Sequence, residues 1–248
     1  MPKDWWKNFF NEDYLLFWGA QGSFDHTKKE ISFLLKNIPI KKGSEVLDLC
    51  CGHGRHSLEL ASRGYKVTGL DYSKFELGLA RKEAARLGLK AEFVRGDARN
   101  FRFNKKFDLI INMFSSAFGY GSRDDDRRIV HSVSKNLKKG GKFFIDLMSL
   151  PWLLRNYKPY KVEKMSKKIY ATCERDFNFL ESVNHEKRTF FKGTKKKVYN
   201  LYLRAYSLAE LNEFLASEGL KVEKYWGSYD GKSYGLETKR MIALAKKL

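Results

Sequence analysis

The sequence predicts an α/β protein with a mostly parallel β-sheet and helices on both faces. An apolar run, Val46 to Leu49, ends in a turn that contains Gly52 and Gly54, and a helical pattern then begins. Apolar strands and helices alternate up to residue 148, which is typical of a parallel sheet. Residues 151–206 alternate between apolar and polar instead, and this predicts a small antiparallel sheet inserted after the fifth strand.

In the first part of the chain, each predicted strand is short and apolar. These strands are Val46–Leu49, Lys66–Leu70, Ala91–Val94, Phe107–Phe114 and Lys142–Met148. Capping signals mark the helices between them, because a serine side chain can accept hydrogen bonds from free N–H groups of the first turn. Ser73–Glu76 predicts the start of a helix that runs to about Leu87. Ser122 predicts the start of a second helix, which runs to Leu137 and is terminated by Gly140–Gly141.

The inserted sheet is predicted to contain three strands, Ile169–Glu174, Val183–Phe191 and Val198–Tyr206, with turns at Asn184–His185 and Lys192–Gly193. A second capping box, Ser207–Glu210, opens a helix that ends at Gly219. The last two strands are Val222–Trp226 and Met241–Ala245. Arg240, at the start of the last strand, is expected to form a surface ion pair, with an acceptor carboxylate as the alternative.

The N-terminal region is rich in aromatic residues. Residues 5–18 are predicted to form one or two helical turns, and Thr27–Asn37 an amphipathic helix. One interpretation is a helix packed on the main domain, and the other is a lid over a ligand, with Tyr14 and Trp18 reaching the site. The predicted organisation is a helical lid at residues 1–43 and a main domain at 44–248, whose antiparallel insertion spans about 150–206.

Composition narrows the class of protein. No apolar run approaches the roughly 18 residues of a membrane span, and the N-terminus lacks the order of a signal peptide. Three cysteines, Cys50, Cys51 and Cys173, give no disulfide framework, so a cytoplasmic protein without membrane partners is expected. The histidines lack metal-ligand spacing, and no metal is predicted.

The formal net charge of +19 allows two interpretations. An acidic partner such as RNA would be attracted to it, whereas solvated lysines of a lysine-rich protein need no partner. The basic residues are spread along the chain, so the second interpretation is preferred and a nucleic-acid partner stays open without being favoured.

The glycine turn distinguishes between two nucleotide-binding families. A dinucleotide fingerprint would place its third glycine on Arg55 or Ser57, so that match is poor. The sequence Val46-Leu-Asp-Leu-Cys-Cys-Gly-His-Gly54 resembles motif I of the class I S-adenosylmethionine-dependent methyltransferases, an acidic residue followed by three alternating glycines. Asp48 is then the acid, Gly52 and Gly54 are the second and third glycines, and Cys50 stands at the first glycine.

Further features follow in the family's order. Asp71 ends the second strand, where the family's acid holds the ribose hydroxyls, and Asp97–Ala98 follow the third strand, where the family contacts adenine. Asn112 to Ser116 end the fourth strand at the floor of the family's site. The resemblance covers residues 44–148 and 207–247. It implies a Rossmann-like, seven-stranded sheet whose last strand is antiparallel.

The resemblance implies S-adenosylmethionine as the cofactor and S-adenosylhomocysteine as the product. The implied cofactor-binding residues are Tyr14, Trp18, Asp48, Cys50, Cys51, Gly52, His53, Gly54, Asp71, Tyr72, Asp97, Ala98, Asn112, Met113 and Phe114. No catalytic base stands out, and the candidates for a catalytic side chain are Tyr120 and His26. Asp48 is as well suited to bracing the turn as to meeting the cofactor amine, and a turn-capping role is the alternative for Asp97.

The aromatic N-terminal segment, the insertion and the stretch Phe114–Tyr120 look like the small-molecule N- or O-methyltransferases of this fold. The expected reaction is in-line displacement of the methyl group by an N or O atom of a small-molecule acceptor, in a monomer or homodimer. Two alternatives remain. The first is an RNA or tRNA methyltransferase, although Asn112–Ser115 lacks the two prolines of the base-amino motif, and the second is a non-catalytic S-adenosylmethionine-binding partner protein.

Overall fold

Two β-sheets organise the part of the chain that the computed structural model describes, residues 1–19, 26–167 and 169–248. The side chains of residues 16–19 lie outside this description. The strands, in chain order, are β1 (Glu45–Leu49), β2 (Lys66–Asp71), β3 (Ala91–Arg95), β4 (Phe107–Asn112), β5 (Leu137–Met148), β6 (Tyr160–Ser166), β7 (Ile169–Asn178), β8 (Val183–Lys192), β9 (Lys195–Arg204), β10 (Leu220–Trp226) and β11 (Arg240–Lys247).

The helices lie mainly between these strands. A short 3-10 helix covers Trp5–Asn8, and the α-helices are α1 (Glu12–Gly19), α2 (Thr27–Asn37), α3 (Arg55–Ser62), α4 (Lys74–Leu87), α5 (Arg123–Asn136), α6 (Leu150–Arg155) and α7 (Leu208–Ser217). In the described part of the chain, no helix is long and apolar enough to span a membrane.

The main sheet has seven strands among the described residues, in the order β10-β11-β5-β4-β1-β2-β3. Strand β11 runs antiparallel to both β5 and β10, and the other neighbouring pairs are parallel. The predicted fold class is therefore confirmed. The chain order of the strands reverses between β1 and β4, because β2 and β3 lie on one side of β1 and β4 and β5 lie on the other. This reversal leaves a crevice at the carboxyl ends of β1 and β4, where open α/β sheets bind ligands.

Buried side chains alternate between the two faces of the main sheet. Leu47 and Leu49 of β1 pack in one cluster with helix residues such as Ile129, whereas Val46 packs in a second cluster with Ile31 of α2. Burial on both faces explains why the strands of the sequence are almost continuously apolar. Burial of these apolar side chains in two layers stabilises the fold through the hydrophobic effect.

The second sheet is antiparallel, in the order β6-β7-β8-β9. Its presence was predicted, but the predicted three strands were one too few. Strand β6 is an edge strand in which Tyr160 and Val162 are exposed, and the alternation breaks at Lys164, so that Met165 is its buried residue. The short helix α6 was also not predicted.

Two local predictions in these regions are wrong. Asn184 and His185 do not form a turn but pair with β7 and β9 inside β8, where the His185 ring stacks on Tyr202 at 4.4 Å. Gly140 and Gly141 do not separate α5 from β5, because β5 already begins at Leu137. They lie where the register between β4 and β5 shifts, as in a β-bulge, and Gly140 has φ +75°.

Candidate functional site

The turn after β1 is left-handed at three alternating positions. Cys50, Gly52 and Gly54 have φ values of +58°, +55° and +81°. The Gly54 N–H donates to the Cys51 carbonyl at 3.0 Å, and Gly54 is the N-cap of α3. An L-residue in this region costs about 1–2 kcal/mol, so Cys50 is strained where the resemblance places a glycine. Burial raises the pKa of the Cys50 and Cys51 thiols well above the usual value, which makes both poor nucleophiles.

Gly54 is required by its neighbours as well as by its backbone. A Cβ on Gly54 would lie 3.0 Å from Ala80 Cβ and 3.0 Å from the Phe93 ring, whereas a Cβ on Gly43, which also has φ +81°, would meet nothing within 4 Å. We therefore expect Gly54→Ala to lower the free energy of unfolding by about 1–3 kcal/mol more than Gly43→Ala, the excess being the cost of overpacking. Urea unfolding of the two variants measures the difference. Equal losses would mean that only backbone strain matters at Gly54.

Asp71 joins the ends of β1 and β2. Its Oδ2 accepts a hydrogen bond from the Gly52 N–H at 2.8 Å, and its Oδ1 accepts one from the Ser73 N–H at 2.8 Å. Burial raises the pKa of Asp71 to about 6, although both hydrogen bonds oppose that increase. Each carboxylate oxygen has a further lone pair, so the group can still accept hydrogen bonds from a ligand.

A second carboxylate, Glu76, faces the same turn. Ser73 caps α4, because its side chain accepts a hydrogen bond from the Glu76 N–H. The second bond of the predicted capping box, from the Ser73 N–H to the Glu76 side chain, is not among the capping bonds of α4. In α7, Ser207 and Glu210 form both bonds. Instead, Glu76 Oε2 lies 3.3 Å from His53 Nδ1, and the Glu76 side chain is 3% exposed. Sequence analysis did not identify Glu76 as a site residue, because its spacing from Ser73 is fully explained by a helix N-cap.

The N-terminal segment is connected to the loops after β2 and β4. Trp5 Nε1 donates to the Tyr120 carbonyl at 3.1 Å, and Ser73 Oγ donates to the Phe10 carbonyl at 3.0 Å. The Trp6 ring meets the Tyr72 ring edge-on at 5.1 Å. These contacts hold aromatic side chains over the ends of the strands.

An open cavity lies between this segment and the strand ends. The predicted site residues that line it are Tyr14, Cys50, Cys51, Gly52, His53, Asp71, Tyr72, Met113, Phe114 and Tyr120. Ser116, from the predicted floor of the site, also lines it, whereas sequence reasoning missed the lining residues Trp6, Lys7, Phe10, Arg55, His56, Ser73 and Glu76. The aromatic density of residues 5–18 was the signal for the first three.

A neighbouring cavity continues from the first and shares Cys50, Tyr72 and Tyr120 with it. Asp97 and Ala98 line this second cavity. The Asp97 carboxylate accepts the Arg99 N–H at 2.9 Å, the predicted alternative of a capped turn, and pairs with the Arg99 guanidinium at 2.6 Å. Arg99 holds the pKa of Asp97 below its usual value, although burial opposes the decrease.

Four predicted site residues do not line either cavity in the part of the chain that is described. Asp48 is fully buried and accepts a hydrogen bond from Ser57 Oγ at 2.6 Å, so it braces the turn from below. Gly54 faces Ala80 and Phe93.

The other two are Asn112 and His26. Asn112 is fully buried and donates to the Leu49 carbonyl at 2.8 Å, and His26 is exposed before α2. Asp48 thus has the turn-bracing position that was predicted as its alternative, and the predicted roles of the other three residues at the ligand stay predictions. The side chain of Trp18 lies outside the described residues.

Phe114 and Ser115 form a second strained turn, after β4. Their φ values are +64° and +56°, and the Asp146 side chain and main chain hold them: Oδ2 accepts the Phe114 N–H at 3.0 Å and the Asp146 carbonyl accepts the Ser115 N–H at 2.8 Å. Arg240 Nε donates to Asp146 Oδ1 at 2.6 Å, and Tyr229 donates to Oδ2 at 2.7 Å. The predicted surface ion pair of Arg240 is thus a buried one.

This network determines the position of the Phe114 ring at the cavity. The guanidinium carbons of Arg55 and Arg240 lie 5.5 Å and 5.3 Å from the ring centroid. Cations at this distance from an aromatic face are attracted by its quadrupole. A strained backbone conformation persists only where surrounding contacts hold it in place, and such conformations are common at functional sites. Here the ion pair of Asp146 and Arg240 provides those contacts.

Comparison with known proteins agrees with this geometry. A family model described as a methyltransferase domain matches residues 46–141, which contain the glycine turn, Asp71 and the Phe114 turn. The cypemycin N-terminal methyltransferase of Streptomyces sp is 33% identical over 104 residues, which are 42% of this chain and 42% of that protein. Residues 46–141 of this chain therefore resemble a methyltransferase domain.

Solved structures of the methyltransferase fold extend the likeness over nearly the whole chain. A methyltransferase from Clostridium acetobutylicum has a TM-score of 0.80 at 23% identity and covers 97% of this chain and 98% of its own. An amino pentose methyltransferase from Micromonospora echinaspora has a TM-score of 0.73 at 18% identity and covers 96% of this chain and 97% of its own. At these identities the likeness concerns the fold, including the inserted sheet. The first of the curated relatives is matched over less than half of its length.

Proposed function

We propose that this chain binds S-adenosylmethionine in the cavity of Asp71 and transfers its methyl group to an N or O atom of a small-molecule acceptor. The observation that carries the proposal is the position of the buried Asp71 carboxylate beside the left-handed turn of Cys50–Gly54. A carboxylate suits a ribose diol because it accepts two hydrogen bonds. The cypemycin N-terminal methyltransferase supports a nitrogen acceptor by analogy.

The residues present fit this cofactor. Gly52 faces the cavity in a conformation that disfavours side chains, so a ligand can approach the backbone there. When bound, S-adenosylmethionine supplies a methyl group already activated on a sulfonium. The chain then has to orient the acceptor and exclude water, and we assign that role to the aromatic side chains over the cavity, Phe10, Tyr14, Phe114 and Tyr120.

No side chain of the cavity is assigned as a general base. Burial raises the pKa of Tyr14 and Tyr120, so both remain protonated at neutral pH and act as hydrogen-bond donors. An amine acceptor that arrives neutral needs no base before the transfer. We therefore favour an amine with a low pKa in its bound state.

Transfer of tritium from labelled S-adenosylmethionine tests the function. We expect label to appear in a deproteinised metabolite pool and not in bulk RNA. Label in RNA would overturn the small-molecule acceptor, and failure to bind S-adenosylhomocysteine in calorimetry would overturn the cofactor site itself.

Cofactor affinity should depend on pH through Asp71. Because its pKa is about 6, the carboxylate becomes protonated as the pH falls through that value and accepts hydrogen bonds less strongly. We expect the affinity for S-adenosylhomocysteine to be constant above about pH 7 and to fall by up to about tenfold per unit below about pH 6. Calorimetry across this range measures it, and Asp71→Asn should flatten the profile. A profile that persists in Asp71→Asn would assign the titration to another group.

A further inference from the structure

The basic residues are spread along the chain, but the net positive charge is concentrated in the inserted region because acidic residues are few there. Residues 151–206 contain 14 Lys and Arg against 5 Asp and Glu, whereas the whole chain has 48 and 29. An excess of +9 out of +19 therefore lies on less than a quarter of the residues. The cofactor site does not account for this concentration, because none of the residues that line its cavity comes from the inserted strands.

The second sheet has two unlike faces. On the inner face, the Tyr199 ring packs on the Phe9 ring at 5.9 Å, and Lys197 pairs with Asp13, so this face meets the N-terminal segment. Side chains alternate across a strand, so the neighbours of these residues in β9 point the other way. We call the opposite side of the sheet the outer face.

The outer face carries a row of aromatic and basic side chains. Strand pairing places Lys164, Tyr170, Phe191 and Lys196 side by side across β6, β7, β8 and β9. The Tyr170 and Phe191 residues are 45% and 36% exposed, respectively. Directly opposite residues of an antiparallel pair have Cβ atoms about 5 Å apart, so the two rings are neighbours with a lysine at each end.

The second row of the same face has short side chains, Val162, Thr172, Thr189 and Val198, and its two valines are exposed. The third row contains Tyr160, Glu174, Lys187 and Asn200, and Lys187 pairs with Glu174 at 3.3 Å. Short side chains beside two exposed rings leave the ring faces accessible from above the sheet. A four-stranded sheet with exposed rings on adjacent strands is a surface on which unstacked bases can lie, because every base has a π-face.

We propose that the outer face binds single-stranded nucleic acid, with bases stacked on Tyr170 and Phe191 and phosphates beside Lys164 and Lys196. Charge favours this occupant over a second copy of the chain, because a two-fold contact would bring two basic faces together. The outer face points away from the side on which the N-terminal segment packs. Nucleic acid bound on the outer face is therefore away from the cofactor cavity and is not proposed as the methyl acceptor. The inference does not depend on the proposed function.

Fluorescence anisotropy with a labelled oligouridylate of about 12 nucleotides tests the proposal. Tyr170→Leu/Phe191→Leu removes both π-faces and keeps an apolar surface, whereas Lys164→Gln/Lys196→Gln removes two charges. The matched control is Lys82→Gln/Lys90→Gln, which removes two exposed lysines around α4. Thermal melting of each variant verifies that the fold is retained.

We expect the leucine variant to bind at least about fivefold more weakly than the unaltered chain. The slope of log affinity against log salt, measured between about 50 and 200 mM, should decrease in magnitude by about 1.4 in Lys164→Gln/Lys196→Gln, at about 0.7 per phosphate contact, and stay unchanged in the control. Equal losses in both lysine variants, full binding by the leucine variant, or equal affinity for a duplex would each overturn the proposal. So would binding to phosphatidylserine vesicles in place of the oligonucleotide.

Discussion

Replacing Asp71 by alanine is expected to weaken S-adenosylhomocysteine binding by more than about tenfold. A charge-assisted, two-pronged contact with a diol contributes about 1.5–3 kcal/mol, and alanine removes both acceptors. The Gly52 and Ser73 N–H groups would lose their partner as well, so the turn itself becomes less ordered. Calorimetric titration of the cofactor product measures the loss directly.

Asp108 offers a matched control for this variant. It lies near the start of β4, at the opposite end of the same sheet, where it accepts the Glu45 N–H at 2.9 Å and pairs with Lys138. Asp108→Ala removes a carboxylate of the same type and should leave cofactor affinity within about twofold, because the charge is far from the cavity and screened. An unchanged affinity in Asp71→Ala would refute the assignment of Asp71, whatever the control does.

The second large effect is expected for Asp146→Ala, which should lower the free energy of unfolding by about 3–5 kcal/mol. Asp146 is fully buried and its partner Arg240 is 14% exposed at the side chain, so the variant leaves a charge without compensation in the interior. The Phe114 N–H and the Tyr229 hydroxyl also lose their acceptor. Urea unfolding followed by tryptophan fluorescence gives the difference.

A double-mutant cycle separates the ion pair from the rest of this network. Arg240→Met keeps the apolar length of the side chain, and Asp146→Ala/Arg240→Met removes both charges. We expect the double variant to be less destabilised than the sum of the two single variants, because neither charge is then buried alone. Additive losses would show that the charges do not interact and that the hydrogen bonds of the Phe114 turn carry the effect.

How much of the site could be predicted depends on where its residues lie along the chain. The glycine turn and Asp71 each follow a strand that is apolar and short, so their place at the sheet edge follows from local pattern. Glu76 and Arg55 also line the cavity, but Glu76 has the spacing of a capping box and Arg55 begins a helix. Whether such side chains face a ligand depends on the angle at which their helix packs on the sheet, which the local sequence does not specify.

The sequence by itself determined the alternation of strands and helices, the turn at Gly52 and Gly54, and the separate inserted sheet. These features depend on interactions over a few residues, namely apolar periodicity, capping and the conformational freedom of glycine. Only the tertiary structure decided that Arg240 is buried against Asp146, that Asn112 and Asp48 support the turn from below, and that Tyr170 and Phe191 are neighbours. The physical reason is that burial and strand register result from contacts between distant parts of the chain.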